Sequence, residues 1–82
     1  MADPQLELYF SQECGFSKSV LNTIRNLDIS DRVTQKDIQE KEFKNELIAL
    51  CGDSIVPTLT VNGETMRASE VIKSFLVDQF LD

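Results

Sequence analysis

The sequence has no histidine and no tryptophan, and only two cysteines, two prolines, three glycines and one tyrosine. Each shortage excludes something. Without histidine there is no imidazole acid–base chemistry and no His-ligated zinc. Two cysteines cannot build the dense disulfide framework of a small secreted domain, nor do they complete a metal site from one chain. Positive charge is scarce as well: 8 Lys and Arg stand against 14 Asp and Glu, a net charge of -6. Such a surface repels phosphate backbones and anionic lipid, so neither a nucleic acid nor a membrane is expected as a partner. No apolar run approaches the length of a membrane span. Met1 to Gln5 carry no positive charge and no long apolar run follows, which is unlike a secretory signal. The expected location is cytoplasmic and reducing, where thiols are usually catalytic or ligating.

What is present suffices for one folded domain over residues 1–82. Hydrophobic residues make up 41% of the chain, too many for a disordered one, although the core will be small. No repeat, linker or low-complexity segment interrupts it. Pro4, Gly15, Gly52, Pro57 and Gly63 each fall where an element should start, stop or turn. Leu6, Leu8 and Phe10 alternate with Glu7 and Tyr9, the period of a strand. From Phe16 the period becomes helical: Phe16, Val20, Ile24 and Leu27 share a face, with Leu21 beside it. Arg32 to Lys36 reads as a short polar strand suited to a sheet edge. Asp37-Ile38-Gln39-Glu40 has capping-box spacing ahead of a helix that buries Phe43, Leu47 and Leu50, with Ile48 as a further candidate, and stops at Gly52. Thr58 to Val61 and Glu64 to Met66 form a hairpin about Asn62-Gly63, a pair that tolerates positive φ. Ser69 caps a last helix whose apolar face is Val71, Ile72, Phe75, Leu76 and Phe80. The order β-α-β-α-β-β-α makes this an α/β chain. Its first two strands are parallel across a right-handed connection, and its hairpin is antiparallel.

Cys14 therefore lies where a strand gives way to a helix. Free N–H groups and the helix dipole at such a place stabilise a thiolate, the nucleophile of disulfide exchange and the form that binds metal. In Cys14-Gly15-Phe16-Ser17, Gly15 lets another molecule approach closely, and Phe16 is expected to pack on the core and fix the turn. Ser17 can donate a hydrogen bond to the thiolate but cannot close a disulfide, so an outside thiol must resolve any mixed disulfide. Glu13 opposes thiolate formation through its charge. Cys51, on the apolar face of the second helix, reads as a buried packing thiol.

A strand, then Cys-Gly-Phe-Ser opening a helix, Val-Pro before an Asn-Gly hairpin, and Ser-Glu opening the last helix together resemble a glutaredoxin, from Leu6 to Phe80. The resemblance implies the thioredoxin fold, a four-stranded mixed sheet of order 2-1-3-4 flanked by three helices. It also implies glutathione as partner molecule and glutathionylated or disulfide-containing proteins as substrates. Cys14 and Ser17 are then the catalytic pair, with Gly15 and Phe16 beside them. Pro57 matches a cis-proline facing the thiol. Val56 before it offers its backbone to the glutathione cysteinyl residue, and Ser69 and Glu70 match the pair that holds the γ-glutamyl end. Lys41 and Lys44 are either a solvated helix face or partners of the glycyl carboxylate.

The tetrapeptide is also that of monothiol glutaredoxins in which Cys14 of each of two subunits and two glutathiones ligate a [2Fe–2S] cluster. The short loop Ser11-Gln12-Glu13 is instead like that of the dithiol members. Arg67 and Ala68 stand where the family has two glycines, and their side chains are expected to crowd the site. Met66 to Glu70 resembles the N-terminal domain of glutathione transferases, although these 82 residues hold no all-helical second domain. Three functions follow: a monomeric glutathione-dependent thiol–disulfide oxidoreductase, a homodimeric [2Fe–2S] scaffold or carrier, or a module that keeps the fold for protein contacts alone.

Overall fold

A computed structural model describes residues 5–80, and Pro4 lies outside them. Seven elements appear in the expected order: β1 (Leu6–Phe10), α1 (Gly15–Asn26), β2 (Val33–Asp37), α2 (Lys41–Cys51), β3 (Thr58–Val61), β4 (Glu64–Met66) and α3 (Ser69–Phe80). The sheet runs β2-β1-β3-β4. β1 pairs in parallel with β2, Leu6 opposite Val33 and Phe10 opposite Asp37, and antiparallel with β3, Leu8 opposite Leu59. This is the thioredoxin-like fold implied by the sequence.

β1 is central in the sheet, and residues on both of its faces are buried. Leu6, Leu8 and Phe10 point to one face, where Val20 and Ile24 of α1 and Ile72 and Leu76 of α3 close the core with Ile29, Val33 and Leu59. Tyr9, 1% exposed, takes the opposite face, where its hydroxyl donates to Glu46 of α2 at 3.0 Å. The simple alternation of β1 thus hides a second buried layer. Lys36 of β2 lies in that layer, over the rings of Tyr9 and Phe43 and bonded to Glu46 at 2.8 Å and Glu7 at 3.4 Å. Burial disfavours the Lys36 ammonium, but Glu46, Tyr9 and Glu7 outweigh it and hold its pKa well above that of an ordinary lysine.

The turn chemistry falls where the sequence puts it. Asn62 and Gly63 have φ of 51° and 93°, and Gly52 ends α2 at 83° with its N–H on the Ile48 carbonyl. Several expectations need correction. Asp37 does not cap α2, because it is still paired in the sheet with Phe10. Its carboxylate accepts the Gln39 N–H instead, and Glu40 takes the cap position. Ile48 is exposed, and Leu50 is 52% exposed rather than buried. Leu50 overhangs the open end of the sheet beside Gln5, Thr60 and Asn62, where no layer covers it. Val71 is likewise exposed, flanking the stripe that Ile72 and Leu76 bury.

Candidate functional site

Cys14 occupies the cap position of α1 in extended conformation, without a capping bond from its own side chain. The short loop before it closes on itself. The Cys14 N–H donates to the Ser11 carbonyl at 3.1 Å, and the Glu13 N–H donates to the Ser11 hydroxyl at 3.2 Å. The Cys14 carbonyl accepts from the Lys18 N–H, the first bond of the helix. This leaves the sulfur over amides that have no intrahelical partner. The Ser17 N–H is the largest influence and lowers the Cys14 pKa. Burial opposes it, and the Ser17 hydroxyl and Phe16 N–H add to the lowering. Glu13, exposed on the loop, does not reverse that outcome. Ser17 itself is fully buried, and its oxygen accepts the Ser11 N–H at 3.3 Å, so its single proton is left for the sulfur.

The other side of the thiol is the loop between α2 and β3. The Val56-Pro57 peptide bond is cis, and the Val56 carbonyl lies 3.8 Å from the Cys14 sulfur, as acceptor to its S–H. A groove of about 340 Å³ runs from there to the start of α3, between Phe16, Ile55, Val56 and Pro57 on one side and Arg67, Ala68 and Ser69 on the other. Phe16 does not pack on the core as expected. It is 69% exposed, because the first turn of α1 projects beyond the sheet, and the inward row begins at Ser17. With Ile55 it makes the groove's apolar rim. Above Gly15 there is open space: an added Cβ would meet nothing within 4 Å.

Ser69 begins α3 and lines the groove, while the Ala68 carbonyl accepts the Ile72 N–H and so holds the cap position expected of Ser69. Glu70 is not part of the groove wall. Its side chain is 85% exposed and pairs with Lys73 at 3.1 Å. Lys41 and Lys44 line a separate depression of about 720 Å³ beyond the Cys14 loop, shared with Ser11, Glu13 and Gln39. Cys51 is half-buried at the end of α2 rather than packed in the core, and both cysteines are free. Among the described residues no group of three or more Cys, Asp or Glu side chains could hold a metal ion. Cys14 is one thiolate, which does not fill the four-ligand set of a [2Fe–2S] cluster from a single chain.

Arg67 lines the groove together with Ala68, as expected, but the sequence does not point to the partner it finds. Its guanidinium is drawn back onto the loop before Pro57, where it bonds both carboxylate oxygens of Asp53. The only trace of this in the sequence is an opposite charge 14 residues away, which no local pattern singles out.

A family model described as Glutaredoxin matches residues 6–66. No curated protein matches the chain. Among solved structures, an unclassified glutathione S-transferase from Bombyx mori superposes with a TM-score of 0.77 at 25% identity, covering 93% of this chain and 36% of that one. An Omega-class glutathione transferase from Trametes versicolor gives 0.77 at 19% identity, over 96% of this chain and 33% of that one. Oxidized glutaredoxin 2 from Chlamydomonas reinhardtii gives 0.65 at 12% identity, over 95% of this chain and 76% of its own. The chain thus spans about a third of those transferases, and the likenesses below 25% identity speak to the fold alone. Among the described residues, no helix is long and apolar enough to cross a membrane.

Proposed function

The chain belongs to the glutaredoxin family, and from that membership we propose that it is a glutathione-dependent thiol–disulfide oxidoreductase working through the single thiol of Cys14. One observation carries the reading: the Cys14 sulfur lies between the α1 amides and the carbonyl of Val56, and Val56 in turn lines a groove that ends on the first turn of α3. The Cys14 thiolate attacks the glutathione-side sulfur of a protein–glutathione disulfide. The protein thiolate leaves and takes a proton from solvent, and Cys14 is left joined to glutathione. A second glutathione thiolate then attacks the glutathione sulfur of that bond, releasing oxidised glutathione and the Cys14 thiolate. Ser17 serves by hydrogen bonding to the sulfur and, having no thiol, keeps the route monothiol. The backbone of Val56 would pair with the cysteinyl residue as an added strand does. The α3 amides at Ser69 would meet the γ-glutamyl carboxylate. Glu70 would meet the ammonium only by leaving Lys73. The open space over Gly15 suits the approach of the second thiol.

The Cys-Gly-Phe-Ser tetrapeptide favours a second reading, the homodimeric [2Fe–2S] scaffold, in which a second chain and two glutathiones supply the thiolates that one chain lacks. One set of experiments separates the readings. The purified protein is assayed for glutathione release from a glutathionylated peptide. In parallel it is reconstituted with iron, sulfide and glutathione while visible absorption and mass are recorded. A colourless monomer that turns over, and a Cys14→Ser variant that does not, support the oxidoreductase. A coloured dimer without turnover supports the cluster reading. Neither signal, with no chemical-shift change on adding glutathione, leaves a protein-contact module of cytoplasmic type.

A further inference from the structure

The loop from Gly52 to Pro57 carries Val56 yet has no regular structure of its own, and it leaves α2 through a left-handed Gly52. Local bonds give it part of its shape: the Ile55 N–H donates to Asp53 at 3.2 Å, and the Thr58 hydroxyl donates to the Ile55 carbonyl at 2.9 Å. Arg67, at the end of the hairpin, adds bonds from outside the loop. Its Nη1 donates to Asp53 at 3.2 Å and its Nη2 to the other Asp53 oxygen. Nη2 also reaches the Ile55 carbonyl at 3.4 Å, and Nε reaches the Thr58 hydroxyl at 3.4 Å. One planar group therefore ties the loop on both sides of Val56-Pro57, at Ile55 before and Thr58 after. Its charge is matched by Asp53, and its side chain, about a third exposed, lines the groove while it bonds the loop.

We propose that Arg67 and Asp53 form a clasp that holds Val56-Pro57 against Cys14, which makes Arg67 a positioning residue for the glutathione site. The inference rests on the oxidoreductase reading above. The Arg67 guanidinium also holds the Asp53 carboxyl below the usual carboxylate range, consistent with a formed pair. The fork geometry matters, because a lysine ammonium could meet Asp53 but not bridge the same set of acceptors.

The test uses the whole 82-residue chain as wild type, Arg67→Gln, Arg67→Lys, Asp53→Asn and the Arg67→Gln/Asp53→Asn double variant. KM and kcat are measured on a glutathionylated peptide. The pH profile of Cys14 alkylation is followed by mass spectrometry of the Cys14 peptide. Arg67→Gln should raise KM by about tenfold, with a smaller effect on kcat, as expected for loss of a charge-assisted contact that orders a binding segment. Arg67→Lys should fall between it and wild type, and the double variant should be no worse than either single one. The alkylation profile should not move to higher pH, because the α1 amides stay in place and release of the S–H from the Val56 carbonyl favours the thiolate. An unchanged or lowered KM in Arg67→Gln, additive single effects, or a raised KM together with an alkylation profile moved to higher pH would overturn the clasp. If wild type itself fails to turn over, the oxidoreductase reading fails on its own account. The clasp is then decided by amide hydrogen exchange at Ile55, whose N–H donates to Asp53. Exchange about tenfold or more faster in Arg67→Gln supports it, and unchanged exchange overturns it.

Discussion

Leu47 offers the sharpest test of how the second helix is held. It is the buried residue of α2, 0% exposed, while Leu50, one turn on along the same apparent stripe, is 52% exposed. Truncating a fully buried leucine to alanine costs about 3 to 5 kcal/mol, the lost transfer energy plus the cavity left behind. Scaled by length, the stability of such a chain is roughly 4 to 12 kcal/mol in total. Leu47→Ala should therefore remove a large part of it and lower Tm by about 12 °C or more. Leu50→Ala removes a side chain already half in water and should cost no more than about 1 kcal/mol. Urea unfolding followed by far-ultraviolet circular dichroism gives both values. With no tryptophan in the chain, the fluorescence of Tyr9 provides a local reporter, since its hydroxyl is bonded to Glu46 of α2. Tyr9 should change at lower urea than the dichroism in Leu47→Ala if the helix undocks before the sheet unfolds. Equal costs for the two leucines, or a Leu47→Ala cost below about 1 kcal/mol, would refute the placement of α2.

Other outcomes are expected from the same geometry. Ser17→Ala strips the Ser11 N–H of its partner and the thiolate of a donor. Stability should drop by about 1 to 2 kcal/mol, and the alkylation profile of Cys14 should move to higher pH; a shift to lower pH would contradict the role given to the hydroxyl. Cys14→Ser should abolish turnover of a glutathionylated peptide, and activity that survives would point to Cys51. Stability against urea should fall on the acid side. Asp53 and Glu46 have lowered pKa values through Arg67 and Lys36, so their contributions are present above the ordinary carboxylate range and vanish as pH falls through the lowered values. Lys36 is raised, so its contribution would be lost only at strongly alkaline pH. A denaturation midpoint that falls between about pH 5 and pH 2, with a shallower fall in Asp53→Asn, is the expected pattern. A flat acid limb would count against both pairs.

Much of this protein is determined by its sequence alone, because the deciding interactions are local. The strand-to-helix change of period fixes Cys14 at a helix start. The Asn62-Gly63 pair dictates a turn that needs positive φ twice, and Gly52 dictates the end of α2. Family resemblance extended this to the sheet order and to the cis bond before Pro57. Tertiary structure decided what depends on partners distant in the chain. Tyr9, placed on the polar side of an alternating strand, is buried because α2 covers it, and Lys36 is drawn in beside it, half-buried, because Glu46 and Glu7 converge there. Phe16 and Leu50 keep the right helical period but project past the edges of the sheet, and periodicity carries no information about where a neighbouring layer ends. Arg67 looks like an obstruction when it is read only as a residue too large for its position. In the folded chain the hairpin brings it across to Asp53, and a long, planar, charged side chain goes where its acceptors are.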